Sequence, residues 1–216
     1  MISPHGGKLV DLVANDKERD CIKNRSLFRL KVSDHKLRDL ENIATGVFSP
    51  LEGFMNERDY FSVLDNMRLS SGAIWTIPIT LPVEEETFKK LRTGQEIFIC
   101  DRDENLYALM NVEDKFLRNK SKEALGVFGT EDLKHPGVER LSKESDFLIG
   151  GRIKLLRRLD HGTLSKYMID PIETRRLFYE RGWKKVVAFQ TRNPIHRSHE
   201  YIQKAALEIC DGLFLN

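Results

Sequence analysis

The chain has 216 residues, 40% hydrophobic and 31% charged, and its 35 Lys and Arg nearly balance 33 Asp and Glu to leave a net charge of +2. This length supports one ordinary core, or one domain and part of another, and the near-neutral balance argues against a polyanion-binding surface, which carries a basic excess. Cys21, Cys100 and Cys210 show no Cys-x-x-Cys or Cys/His zinc spacing and fit reduced thiols in a cytoplasmic protein, MISPHGGKLVDLV lacks signal-peptide layout, and no run approaches the roughly 18 apolar residues of a membrane span.

Up to about residue 168 the pattern is that of strands with three helices inserted. Asp34 is the expected cap of HKLRDLENIA, with Leu37, Leu40 and Ala44 on one face and a stop at Gly46. Asn56 is the expected cap of ERDYFSVLDNM, where Tyr60, Val63, Leu64 and Met67 recur at helical spacing. Ser121 is the expected cap of a shorter helix at KEALGVF. Strands are predicted over 73–83, 95–101, 106–116 and 146–156. Pro78 and Pro82 confine the first of these to edges or bends. Turn signals fall at Thr93-Gly94, Asp103-Glu104-Asn105 and Gly150-Gly151. The spacing suggests a compact, barrel-like β domain over 1–168. Lys154, Arg157 and Arg158 read as a solvated basic face.

Near residue 170 the pattern changes. DPIETRRLFYERGW predicts a helix with Asp170 at the N-cap, Pro171 at the first helical position, Glu173 two residues on, and Gly182 beyond the end. Val186–Phe189 is a continuous apolar strand. A second helix follows, with Ile202, Ala205, Ala206 and Ile209 on one face, and GLFLN reads as a second buried strand. Helix, strand, helix, strand with doubly apolar strands means a parallel α/β sheet. Residues 169–216 are too few to cover such a sheet, so they read as the incomplete opening of a second domain.

Between strand and helix lies QTRNPIHRSH, residues 190–199. Ligands of open α/β sheets bind beyond the carboxyl ends of strands, where helix N-termini favour anions. Asn193-Pro194 fits a cap and first helical position, and Ser198 could cap a later start; either leaves the packet at a helix N-terminus. Arg192 offers a planar fork for phosphate or sulfate oxygens, Gln190 and Asn193 offer amide donors, and His196 and His199 share a helical side. Capping alone would not account for Gln190, Arg192 and both histidines together. No metal site is expected, because no third His or Cys accompanies the pair. No P-loop and no G-x-G-x-x-G segment is present.

QTRNPIHRSHEY resembles the ATP-binding signature of the ATP sulfurylase (sulfate adenylyltransferase) family. PHGGKLVDL (4–12), LRDLENIATGVFSPLEGFM (37–55), IPITLPV (77–83), VFGTEDLKHPGV (127–138) and PIETRRLF (171–178) are similar to family segments in the same order. The resemblance implies a PUA-like β-barrel over 1–168, then the opening strand–helix–strand of a Rossmann-like nucleotidyltransferase domain. It implies transfer of AMP from MgATP to sulfate, giving adenylyl sulfate and pyrophosphate, or the reverse. Carried over by motif position, Gln190 and Arg192 would hold sulfate. Gln190, Thr191, Arg192 and Asn193 would contact the ATP phosphates. His196 and His199 would stabilise the departing pyrophosphate, with Mg2+ arriving on ATP and no protein-held metal. Thr191, Arg192, Asn193, His196 and His199 are therefore the catalytic candidates.

The family also implies a downstream Gly-Arg-Asp-His segment that the 216 residues do not contain, so this polypeptide alone is not expected to turn over. The parent is expected to be a homo-oligomeric cytoplasmic enzyme that engages neither nucleic acid nor membrane. Two readings stay open beside it: a nucleotidyltransferase with another acceptor, and a PUA-like RNA-binding or structural module.

Overall fold

One strand organises the first region. In the computed structural model, which describes residues 2–215, the predicted strand over 146–156 forms, and it is the longest. In chain order the elements before it are α1 (Asp16–Lys23), β1 (Phe28–Lys31), α2 (Asp34–Ala44), β2 (Gly53–Phe54), α3 (Glu57–Asn66), β3 (Leu81–Pro82) and α4 (Glu85–Lys90). Then come β4 (Glu96–Cys100), β5 (Leu106–Asn111), β6 (Asp114–Leu117), α5 (Lys120–Glu123), α6 (Pro136–Lys143) and the long strand itself, β7 (Phe147–Leu155). β7 pairs antiparallel with β2, β3, β5 and β6, while β1 joins the far side of β4 in parallel, so the sheet is mixed.

Gly150-Gly151 was expected to mark a turn; it lies inside β7. The reason is a change of partners. Residues 147–150 pair with β3 and β6, whereas 151–155 pair with β2 and β5. At that corner other backbones come too close for a side chain. A Cβ on Gly150 would stand 2.3 Å from the Met55 carbonyl oxygen, and one on Gly151 2.0 Å from that of Asn111. Glycine in a strand interior marks this kind of bend or close approach.

These strands bury several apolar clusters, with β4 covered on both faces, and the largest cluster packs against α2. Leu37, Leu40 and Ala44 of α2 meet Ile97, Ile99, Met110, Ile149 and Leu155 of the sheet. Other expectations shift. Of the predicted strand 73–83 only Leu81–Pro82 joins β7, with Ile74 making an isolated bridge to Arg68; Pro78 lacks the N–H that a ladder would need between them. The predicted strand 106–116 is two strands, broken at Val112-Glu113. α1, β1, α4 and α6 form without having been read from the pattern, although α1 carries a reciprocal Asn15–Glu18 capping box.

Helix caps follow local hydrogen bonding. Asn56 does cap α3: its side chain accepts the Asp59 N–H at 2.8 Å. Asn56→Ala should destabilise the protein by about 1 kcal/mol, read as a lower midpoint in urea with unchanged slope. Met67 does not join the buried face; it ends α3 in the left-handed region at φ 52° and is exposed. Asp34 is the first helical residue of α2, and Ser33 occupies the cap without a side-chain bond. Asn119, not Ser121, caps α5, accepting the Lys122 N–H at 2.9 Å, while the Ser121 hydroxyl bonds Glu131 at 2.5 Å. The chain continues from α5 as a wider π-helical turn over Ala124–Phe128.

A polar cluster is buried beneath α3. The Arg118 guanidinium bonds Glu144 at 2.6 Å and Thr80 at 2.8 Å, and lies 3.4 Å from Glu123, whose carboxylate accepts the Tyr60 hydroxyl at 2.8 Å. Burial pushes the Glu123 carboxyl and the Tyr60 phenol up, partly offset by Arg118. The three expected basic-face residues are individually engaged: Lys154 pairs with Glu18, Arg157 donates to Asn105 and lies over Tyr107, and Arg158 binds Glu41 and Asp170.

The remaining elements are α7 (Pro171–Glu180), β8 (Val186–Phe189), α8 (Arg197–Leu207) and β9 (Gly212–Leu215). β8 and β9 pair in parallel, as expected from their continuous apolar runs; Asn216, the last residue of the predicted GLFLN strand, lies outside the described residues. Asp170 sits at the N-cap of α7 but makes no capping bond. On α8 the buried residue is Gln203, while Ile202 and Ala205 are exposed, as is Ile209 just past its end. The apolar face expected there is thus open.

Candidate active site at the carboxyl end of β8

The site is built from the end of a two-stranded parallel sheet. Val186 to Phe189 align with Gly212 to Leu215, so β8 delivers residue 190 at its carboxyl end and α8 returns across it. Phe178 of α7 anchors the sheet, stacking on Trp183 at 5.7 Å and meeting Phe214 edge-on at 5.5 Å. Gly212 passes directly under Trp183, where a Cβ would stand 2.3 Å from the indole.

At the opposite end of the strands, the Asp211 carboxylate accepts the N–H groups of Lys184 and Lys185, each at 2.7 Å. Those bonds hold its carboxyl below the usual aspartate range. A carboxyl depressed by folding stabilises the fold above its unfolded value and loses that contribution as pH falls through its folded value. In an NMR titration the Lys184 and Lys185 amides should therefore move together, with a midpoint below the ordinary aspartate value. A midpoint at or above that value, or an unchanged titration in Asp211→Asn, would refute the assignment.

Residues 190–196 form a short irregular connection. Thr191 folds it locally: its hydroxyl accepts the Asn193 N–H and donates to the Asn193 carbonyl, both at 3.1 Å. The helix starts later than Asn193-Pro194 would give and earlier than Ser198 would give, because His196 occupies the N-cap of α8. The His196 N–H points at His199 Nδ1, 3.4 Å away, and the Ser198 hydroxyl lies 2.9 Å from His196 Nδ1. The two imidazoles are 3.9 Å apart between centroids and tilted by 35°. Phe189 meets His199 edge-on at 5.6 Å and so ties the pair to the strand.

The packet is rich in donors and poor in carboxylates. Gln190, Arg192, Asn193 and His196 are exposed, and Thr191 and His199 half-buried. Among the described residues, the side chains of Gln190, Arg192 and Asn193 take part in no hydrogen bond, and Arg192 in no ion pair. Glu200 is engaged by Lys204 at 2.5 Å, which holds its carboxyl low. No group of three or more His, Cys, Asp or Glu converges among the described residues. The arrangement can therefore receive an anion on a guanidinium, amides, backbone N–H groups and imidazoles at a positive helix end.

Sequence reasoning overlooked what holds this unit against the first region. Glu41 is buried in α2 and gathers Arg158, the Leu159 N–H and His161. A buried glutamate has no one-dimensional signature when its partners lie more than a hundred residues away. No helix is long and apolar enough to cross a membrane among the described residues.

Residues 2–158 match the family model described as a PUA-like domain, and the chain belongs to that family. Residues 165–216 match the ATP-sulfurylase model. The full length of the chain is similar to sulfate adenylyltransferases: that of Halothermothrix orenii is 45% identical over 219 residues, covering 100% of this chain and 57% of the relative. The Microcystis aeruginosa protein of the same name is 45% identical over 217 residues, covering 100% of this chain and 56% of the relative. A solved structure, the hexameric APS kinase from Thiobacillus denitrificans, matches with a TM-score of 0.75 and 26% identity, over 100% of this chain and 39% of that one. The chain thus spans little more than half the length of the curated relatives it matches.

Proposed function

We propose that residues 190–199 are part of the anion site of a sulfate adenylyltransferase, an activity proposed for a protein of the relatives' full length. A sulfate oxygen attacks the α-phosphorus of MgATP, a new S–O–P bridge forms, and the bond from the α-phosphorus to the α–β bridging oxygen breaks to release pyrophosphate. Sulfate is already a dianion at neutral pH, so the reaction needs no general base. What it needs is approach of two anions and stabilisation of charge on the departing oxygen.

Gln190 and Arg192 hold sulfate in this reading. Gln190, Thr191, Arg192 and Asn193 contact the nucleotide phosphates. His196 and His199 donate to the α–β bridging oxygen and the leaving pyrophosphate. Mg2+ enters with the ATP phosphates as substrate. The observation that carries the reading is the set of unengaged donors at the end of β8, led by Arg192, beside the paired imidazoles. The domain boundary falls near residue 168, with a Rossmann-like nucleotidyltransferase unit beginning at 169, in a cytoplasmic homo-oligomer. No nucleic acid enters this reading; of the basic residues Lys154, Arg157 and Arg158, Lys154 and Arg158 are paired with carboxylates.

The test is release of pyrophosphate from MgATP as a function of sulfate. Release that requires sulfate supports the reading. Release with another acceptor and none with sulfate would replace it with a different nucleotidyltransferase.

A further inference from the structure

Few polar contacts join residues 2–157 to the unit that carries the candidate site. Arg175 of α7 donates to the Ile2 carbonyl at 2.5 Å. The other connection runs through Arg158. Its Nε donates to Glu41 Oε1 at 3.0 Å, and its two terminal nitrogens donate to the two Asp170 oxygens, each at 2.8 Å. Glu41 also accepts the Leu159 N–H at 3.0 Å and pairs with His161 at 2.8 Å. Between the units lies a cavity of about 490 Å3, lined by Leu9 and Val47 on one side and Ile169, Phe178, Val186 and Phe214 on the other.

Two features set this chain of contacts apart from a surface ion pair. Glu41 keeps only 8% of its side chain exposed, so the cost of burying it is offset by the partners it has. Asp170 stands at the N-cap of α7, where a carboxylate ordinarily accepts helix N–H groups, yet both its oxygens face Arg158. A guanidinium fork bound in a bidentate way fixes direction as well as distance. A cavity on one side leaves little packing to do the same task.

We propose that Arg158 is a positioning residue: the Glu41–Arg158–Asp170 relay sets the orientation of α7, and through Phe178 on Phe214 of β9 that of the paired β8 and the 190–199 packet, against the first region. Asp170 foremost, then Glu41, keeps the guanidinium charged well beyond the usual range. The orienting role stands on geometry alone; its consequence for turnover rests on the proposed sulfate adenylyltransferase reading.

The two parts separate in experiment. Spin labels on the native thiols Cys21 of α1 and Cys210 beyond α8 report the distance between units; Cys100 is buried and its thiol is pushed up by burial, so it resists labelling. On the 216-residue chain, Arg158→Ala should broaden the distance distribution, and Asp170→Asn, which keeps size and shape, should broaden it too. The double variant should add nothing further, because both break one relay. Should Arg158→Ala fail to fold, Asp170→Asn decides. An unchanged distribution in the folded variants overturns the orienting role. In a full-length protein active with sulfate, Asp170→Asn should lower kcat by roughly tenfold or more with smaller change in KM, as expected of a misplaced site. A broadened distribution with unchanged kcat overturns the positioning of the site while leaving the reading of 190–199 intact. Absence of any sulfate-dependent activity in the unmodified protein counts against that reading, and not against the relay.

Discussion

Arg192→Ala in a full-length protein should lower sulfate-dependent pyrophosphate release by roughly 10²- to 10³-fold, the cost of removing a donor aimed at transition-state charge. The residue takes part in no ion pair among the described residues, so its loss leaves no partner stranded and the fold intact. A matching melting temperature with collapsed activity is therefore the expected pair of observations. Arg192→Lys should recover part of the rate, because it restores the charge without the two-pronged geometry. If Arg192→Ala retained more than about a tenth of the rate, the central donor of the proposed site would lie elsewhere.

Gly151→Ala should unfold the first region or destabilise it by more than about 4 kcal/mol, among the larger effects of any single substitution. Two causes coincide at this position. Its φ of 148° is one that side-chain-bearing residues rarely adopt, and a Cβ would stand 2.0 Å from the Asn111 carbonyl oxygen. That oxygen belongs to backbone at the end of β5, which cannot swing aside as a flexible side chain would. Gly53→Ala should fail for the same reason, since its Cβ would stand 1.8 Å from the Gly151 carbonyl oxygen. By contrast, Gly94→Ala meets no atom within 4 Å and carries only the strain of its left-handed φ of 85°. Urea denaturation of the three variants separates steric collision from backbone strain. Equal, small losses in all three would mean that the sheet corner is not the crowded crossing described.

Local chemistry was the legible part. Val186–Phe189 could be read as a parallel strand because four apolar residues in a row have no polar face to show, although none of the four is buried among the described residues. Asn56 could be read as a cap because its hydrogen bond stays within three residues. The packet 190–199 was legible as a polar cluster between two regular elements. Its internal geometry was not, since His196 displaces both capping candidates through contacts with Ser198 and His199 that depend on side-chain rotation. Long-range features were the hidden part. Gly150-Gly151 carries a turn's signature, and only the meeting with Met55 and Asn111 makes it a strand corner. The polar character of Arg158 is equally visible whether it faces water or Glu41. Short polar helices such as α4 and α6 lack enough turns for periodicity to declare itself.

The dependence of the sheet on β7 also bears on how the molecule is made. β2, β3, β5 and β6 all await pairing with a strand that lies near the end of the first region. Contacts between residues so distant in sequence slow folding, because chain closure precedes any gain from pairing. In a growing chain β1, β4 and β5 have partners before β7 is made, whereas β2, β3 and β6 gain theirs only once Leu155 is clear of the exit tunnel.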